Sequence, residues 1–186
     1  MKNLLSILIL CFLFFNNVNA EERDSELDNL FKKLKNSEAT QAVEVENKIW
    51  KIWSTHPTGD RKGFRLTELL DQGSLLMDRR QLKKAYKIFT LIITTDPTWS
   101  EAWNKRATVL YLMKEYQSSL DDINVTLTLE PRHFGALSGQ ALNYIELEKY
   151  EKAIESYKAA QKIYPIIDAA KKMIPQIQEL INDQTA

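Results

Sequence analysis

An all-α chain, folded as a stack of helical hairpins, is predicted by three observations. Pro97, Pro131 and Pro165 recur at a spacing of 34 residues. Five further columns stand in register with them: Leu69, Trp103 and Leu137; Gly73, Ala107 and Ala141; Leu76, Leu110 and Tyr144; Ala85, Ser119 and Ala153; Phe89, Ile123 and Tyr157. The composition agrees. Five Gly and five Pro in 186 residues are too few for a turn-rich sandwich or barrel, and helix formers dominate. With 27% charged and 44% hydrophobic residues, the chain is neither disordered nor fibrous.

Residues 1–20 read as a signal peptide. Lys2 precedes an apolar run from Leu4 to Phe15 that only Ser6 and Cys11 interrupt. Val18 and Ala20 take the small-residue places of a cleavage site after Ala20. The run is short for a bilayer span, so an uncleaved membrane tether is the alternative. Leu10 is too bulky for a lipidation site before Cys11. Cleavage would remove Lys2 and leave 24 of the 25 basic residues against 25 acidic ones, a net charge of −1. That balance offers no field for nucleic acid or anionic lipid. It would also remove the single cysteine, so packing alone would hold the mature chain.

Residues 21–57 carry two amphipathic stripes: Leu27, Leu30, Phe31 and Leu34, then Ala42, Val45, Ile49 and Trp53. They predict an N-terminal helical hairpin, either a degenerate fourth repeat or a cap. Pro57 is out of register, and Ser54 to Gly63 reads as a connecting segment, with the loop at 58–65. It serves as a mobile hinge or an ordered connector.

The repeats span 66–165, in units 66–99, 100–133 and 134–167. Helices are expected near 65–78 with 81–95, 98–113 with 116–129, and 132–147 with 150–163. Large and small residues four apart share one helix face, and the small one lets two backbones approach. Proline ends each second helix and suits the first turn of the next. A hairpin of this kind cannot bury its face alone, so neighbours stack into a solenoid. In period, column identities and closing proline the array resembles the tetratricopeptide (TPR) family. Trp103, Ala107 and Tyr116 match that pattern best, whereas Gln72, Leu82, Ser119 and Thr126 depart from it. Small exported bacterial TPR proteins are what the whole chain resembles.

Residues 166–186 carry Ile167, Ala170, Ile174, Ile177 and Ile181 at helical steps, a capping helix with a frayed tail. Pro175 is expected to kink or split it.

Chemistry is sparse. His56 and His133 are far apart and read as solvated surface residues without metal-ligand spacing. No nucleophile elbow or phosphate loop occurs. Asp121 and Asp122 are consecutive and read as a wet face, as does Asp78 to Arg80 with Lys83 and Lys84. Asn124 opens a glycosylation sequon mid-helix. Trp103 is expected in the core with Trp50 and Trp53, and Trp99 partly exposed. No catalytic residue, cofactor, metal or nucleic acid is implied, and the chain is expected not to be an enzyme.

The resemblance implies protein binding. In the family the first helix of each hairpin lines a groove that holds peptides or helices of a partner. Carried over, the groove falls on Leu70, Ser74 and Met77, then Asn104, Lys105, Thr108 and Tyr111, then Ser138, Leu142 and Ile145. Thr67, Glu101 and Gly135 take the second position of each unit. Lys105 alone cannot reproduce the carboxylate clamp of chaperone-binding relatives, so an acidic tail is not expected as ligand. Groove residues that only pack against the N-terminal hairpin are the competing reading. Membrane contact is expected only if residues 1–20 stay attached. The function implied is a periplasmic or secreted adaptor or scaffold in the cell envelope; the alternative is a membrane-tethered structural subunit.

Overall fold

The computed structural model describes residues 21–185, and the expected signal peptide lies outside them. All regular elements among the described residues are helical: α1 over 21–36, α2 Ala39–Ser54, α3 Arg61–Asp78, α4 Leu82–Thr95, α5 Ser100–Leu112, α6 Tyr116–Leu129, α7 Phe134–Glu146, α8 Tyr150–Ile163 and α9 Asp168–Thr185. The chain divides into two compact units, Met1–Thr67 and Glu68–Ala186, with the boundary inside α3.

In the first unit both expected stripes are buried: Leu27, Leu30, Phe31 and Leu34 of α1, and Ala42, Val45, Ile49 and Trp53 of α2. Trp53 meets Phe31 at 5.9 Å and the edge of Trp50 at 5.3 Å. Arg23 donates to the Ile52 carbonyl at 2.8 Å, which also accepts the Thr55 N–H at 3.2 Å, at the end of α2. The connector is shorter than expected. α3 starts at Arg61, inside the stretch read as loop, because Asp60 caps it. Asp60 Oδ1 accepts from the Gly63 N–H at 2.7 Å and from the Thr58 hydroxyl at 3.0 Å. These bonds, the Gly63 one foremost, hold the carboxyl below its usual range. Gly63 is required here, since a Cβ would collide with the Thr58 carbonyl. His56 is not a solvated residue: it is 4% exposed, its N–H donates to Thr67 Oγ1, and its ring bonds Thr58. The connector is therefore ordered by its own hydrogen bonds.

In the second unit the small columns are the inner ones. Ala85, Ser119 and Ala153 are fully buried, as are Phe89, Ile123 and Tyr157 one turn on. Gly73 meets Phe89 so closely that an added Cβ would stand 2.6 Å from the ring. α5 packs on α6 and α4, α7 on α8 and α6, and α9 on α8.

The 34-residue period also appears in the turns. Arg80, Lys114 and Glu148, each 34 residues from the next, adopt φ of 59°, 64° and 57°. At each, two bonds close the helix end in a Schellman motif, as with Lys114 N to the Tyr111 carbonyl and Glu115 N to the Leu110 carbonyl, both 2.9 Å. The prolines lie between helices rather than in the first turn of the next. Asp96 and Glu130 precede them in extended conformation, and Tyr164 (φ −127°, ψ 87°) is likewise outside the helical region, as the proline ring demands of the residue before it.

Four more expectations are corrected. Trp99 is 2% exposed and belongs to the core, whereas Trp103 is only half-buried. Trp103 sits at the rim because its indole N–H donates to the Pro97 carbonyl and its ring lies under the Arg106 guanidinium at 5.0 Å. Asp122 is buried rather than wet: it takes two hydrogen bonds from Arg106, at 2.7 and 2.8 Å. α9 continues through Pro175 without a break. Ala170 and Ile177, both fully buried, anchor it on either side, so one missing backbone bond does not split it.

Candidate functional site

A cavity of about 200 Å³ opens between α5, α6 and α7. α5 supplies Asn104, Thr108 and Tyr111, α6 supplies Ser119 and Ile123, and α7 supplies Ser138, Leu142 and Asn143. Residues four apart on α5 and on α7 share a face, so the hairpin geometry brings the two lines together. Ala107, Gly135 and Gly139 complete the floor. The small residues permit the approach.

Five of the ten expected groove residues therefore meet around one cavity: Asn104, Thr108, Tyr111, Ser138 and Leu142. The others lie elsewhere. Leu70 is 1% exposed, so its side chain belongs to the core. Ser74 is half-buried and donates to the Leu70 carbonyl, and Met77 is half-buried at the end of α3. Lys105 turns to Glu101, its Nζ 3.4 Å from Oε1. Ile145 is half-buried in the last turn of α7 and does not line the cavity. Of the second-position residues, Gly135 lines the cavity and Glu101 is buried, while Thr67 serves the connector of the first unit.

Glu101 and His133 form a polar core beside the groove. His133 is the N-cap of α7, and its Nδ1 accepts from the Ala136 N–H at 3.1 Å. An amide can only donate, so the ring proton sits on Nε2 and is given to Glu101 Oε2 at 3.0 Å. Asn104 Nδ2 donates to the same oxygen at 3.0 Å. Burial acts to raise the Glu101 pKa. The bonds from His133 and Asn104 and the nearby Lys105 outweigh it and hold the carboxyl below its usual value. His133, fully buried, is thus corrected from a surface residue to a structural one.

At the other end of α7, Glu146 accepts from the Tyr116 hydroxyl at 2.6 Å and from Tyr111 at 3.5 Å. The bond to Glu146 pushes Tyr116 up to about 12. Burial, then Glu146, raises Tyr111.

The family pattern did not point to Ser119 and Asn143. A signal for Asn143 exists: its column holds Leu75 and Val109 in the other two units, so a polar residue there is out of place. The structure resolves it through bonds from Asn143 Nδ2 to Ser119 Oγ at 3.0 Å and to the Gly139 carbonyl at 2.8 Å. Ser119 donates onward to the Ala107 carbonyl at 2.8 Å, which explains serine in an alanine column.

Among the described residues no three His, Cys, Asp or Glu side chains gather as a metal site. No described helix is long and apolar enough to cross a membrane. A larger cavity, about 500 Å³, lies in the first unit beside the end of α2, between Arg23, Glu26, Lys48 and Lys51. Two of its cations have partners within the unit: Arg23 bonds the Ile52 carbonyl and Lys48 bonds Glu44.

No family model matches the chain. It is 28% identical over 170 residues to a TPR repeat-containing protein of Rhizobium etli, spanning 88% of this chain and 81% of that one. Among solved structures it is similar to the first TPR of Spaghetti (RPAP3) bound to an HSP90 peptide, SRMEEVD. The TM-score there is 0.61 at 19% identity, over 63% of this chain and 93% of the other. It is also similar to MamA, with a TM-score of 0.60 at 21% identity over 76% and 77% of the two chains.

Proposed function

We propose that this chain, whose fold is that of the tetratricopeptide repeat, is a non-catalytic adaptor or scaffold that holds a segment of another protein in the groove between α5 and α7. The groove carries the reading: Asn104, Thr108 and Tyr111 face Ser138 and Leu142 across one cavity, so polar groups that can bond a peptide backbone stand beside apolar surface. The peptide-bound RPAP3 domain supports it by fold.

Affinity capture from cell-envelope extract, read by mass spectrometry, tests it. Tyr111→Ala, Asn104→Ala and Leu142→Asp are each expected to weaken capture. If all three retain the partner undiminished, the groove is not the binding surface.

The place of action belongs to the same proposal: the cell envelope, periplasmic or outside, after cleavage following Ala20. The run Leu4 to Phe15 and the Val18 and Ala20 pair support it. Intact mass of the exported product is expected to start at Glu21. A product that retains residues 1–20 instead makes the chain a membrane-tethered subunit of an envelope assembly.

A further inference from the structure

We propose that the groove between α5 and α7 accepts a positively charged, hydrogen-bond-donating side chain, arginine or lysine, from an extended segment of its partner, and rejects carboxylates; this rests on the groove being the binding surface. The observation behind it is the direction of the hydrogen bonds in the lining. Thr108 donates to the Asn104 carbonyl at 3.0 Å, Ser138 to the Phe134 carbonyl at 2.9 Å, and Ser119 to the Ala107 carbonyl at 2.8 Å. Tyr111 leans on Glu146, and both Asn143 amide protons are engaged, on Ser119 and Gly139. The hydroxyl protons point into the protein, and lone pairs remain for a ligand.

Asn143 Oδ1 sharpens this. Its residue, 1% exposed, is part of the cavity wall, and the oxygen is buried there with no hydrogen-bond partner among the described residues. The amide cannot be turned over to relieve it, because the Gly139 carbonyl that meets Nδ2 can only accept. An unmet buried acceptor is costly, and a ligand N–H would remove that cost.

Charge points the same way. None of the lining residues is cationic. Asn104 bonds the Glu101 carboxylate and Tyr111 bonds that of Glu146, with the Lys105 ammonium 3.4 Å from Glu101. The excess of negative charge favours a cation and repels a carboxylate. A cavity of about 200 Å³ suits one side chain. Ile123 and Leu142 offer apolar surface for the stem of arginine or lysine. A carboxylate-ended peptide needs several donors, and the hydroxyls of this lining have turned theirs away.

The test uses the full chain and blocked nonapeptides, Ac-Ser-Ala-Ser-Ala-X-Ala-Ser-Ala-Ser-NH2, with X as arginine, lysine, citrulline or glutamate. Binding is read by titration and by amide shifts at Thr108, Tyr111 and Leu142. The arginine and lysine peptides are expected to bind at least about tenfold tighter than citrulline, and glutamate not at all. Ser138→Lys, at a half-buried position, is expected to lower arginine-peptide affinity by about tenfold or more without unfolding the chain. Glutamate binding as tightly as arginine overturns the inference and leaves groove binding intact. No binding of the arginine peptide at millimolar concentration, or binding indifferent to Ser138→Lys, also overturns it. Failure of the groove itself is read separately, by capture with Tyr111→Ala and Leu142→Asp.

Discussion

Glu101 and His133, 32 residues apart and both fully buried, meet at 3.0 Å and tie the first helix of one hairpin to the N-cap of the next. The imidazole uses one nitrogen to cap α7 and the other to donate to one oxygen of a fully buried carboxylate. Two jobs are thus joined in one ring: starting a helix and fixing the distance between repeats.

Removing one partner leaves the other buried and unmatched. His133→Ala is expected to cost about 3–5 kcal/mol, because it loses the cap and strands a carboxylate in the core. Glu101→Gln is expected to cost less, since an amide oxygen still accepts from Nε2. Urea unfolding of both variants and the double mutant gives the coupling. A coupling near zero would show that the two side chains act independently.

The same carboxylate sets an acid limit. Glu101 is held below its ordinary value of 4.5 in the folded state, so the unfolded chain binds the proton more tightly. Its contribution is present above about pH 4.5 and is lost as pH falls through the lower folded value. Glu101→Gln is expected to flatten the fall in stability below that pH, as measured by unfolding midpoints from pH 7 to 3. An unchanged acid limb would assign the effect to other carboxyls.

Three non-glycine residues occupy left-handed turns: Arg80, Lys114 and Glu148. Each pays a steric cost that glycine avoids, about 1 kcal/mol. Lys114→Gly and Glu148→Gly are each expected to stabilise the chain by about that amount. The sites are a full repeat apart, so their effects should add. Thermal midpoints that fall instead of rising would mean that the side chains make compensating contacts.

Two glycines should answer oppositely to alanine. At Gly73 a Cβ would stand 2.6 Å from Phe89, itself fully buried, and Gly73→Ala is expected to destabilise by about 1–3 kcal/mol. At Gly139 the Cβ would meet Ile123 at 3.7 Å, an ordinary contact, and the helix gains up to about 1 kcal/mol. Chemical denaturation of the pair checks the sign.

The fold was legible because a repeat states its pattern three times. The Ala85, Ser119 and Ala153 column is fully buried in all three units, and the two N-terminal stripes are the buried faces of α1 and α2. Half of the expected groove line, Asn104, Thr108, Tyr111, Ser138 and Leu142, was also reachable by column. Leu70 was not, because column position says which helix face a residue shares and not how much of that face is covered.

By itself, then, the amino-acid sequence determined the all-helical class, the 34-residue period and the placement of the small residues, since these follow from local spacing along one chain. Only the tertiary structure decided the fate of the polar residues. Whether His133, Glu101, Asp122 or Asn143 faces water depends on partners distant in sequence, from 16 residues for Arg106 and Asp122 to 32 for Glu101 and His133. A polar side chain is seldom buried unless such a partner meets at least one of its atoms, and periodicity carries no information about that meeting.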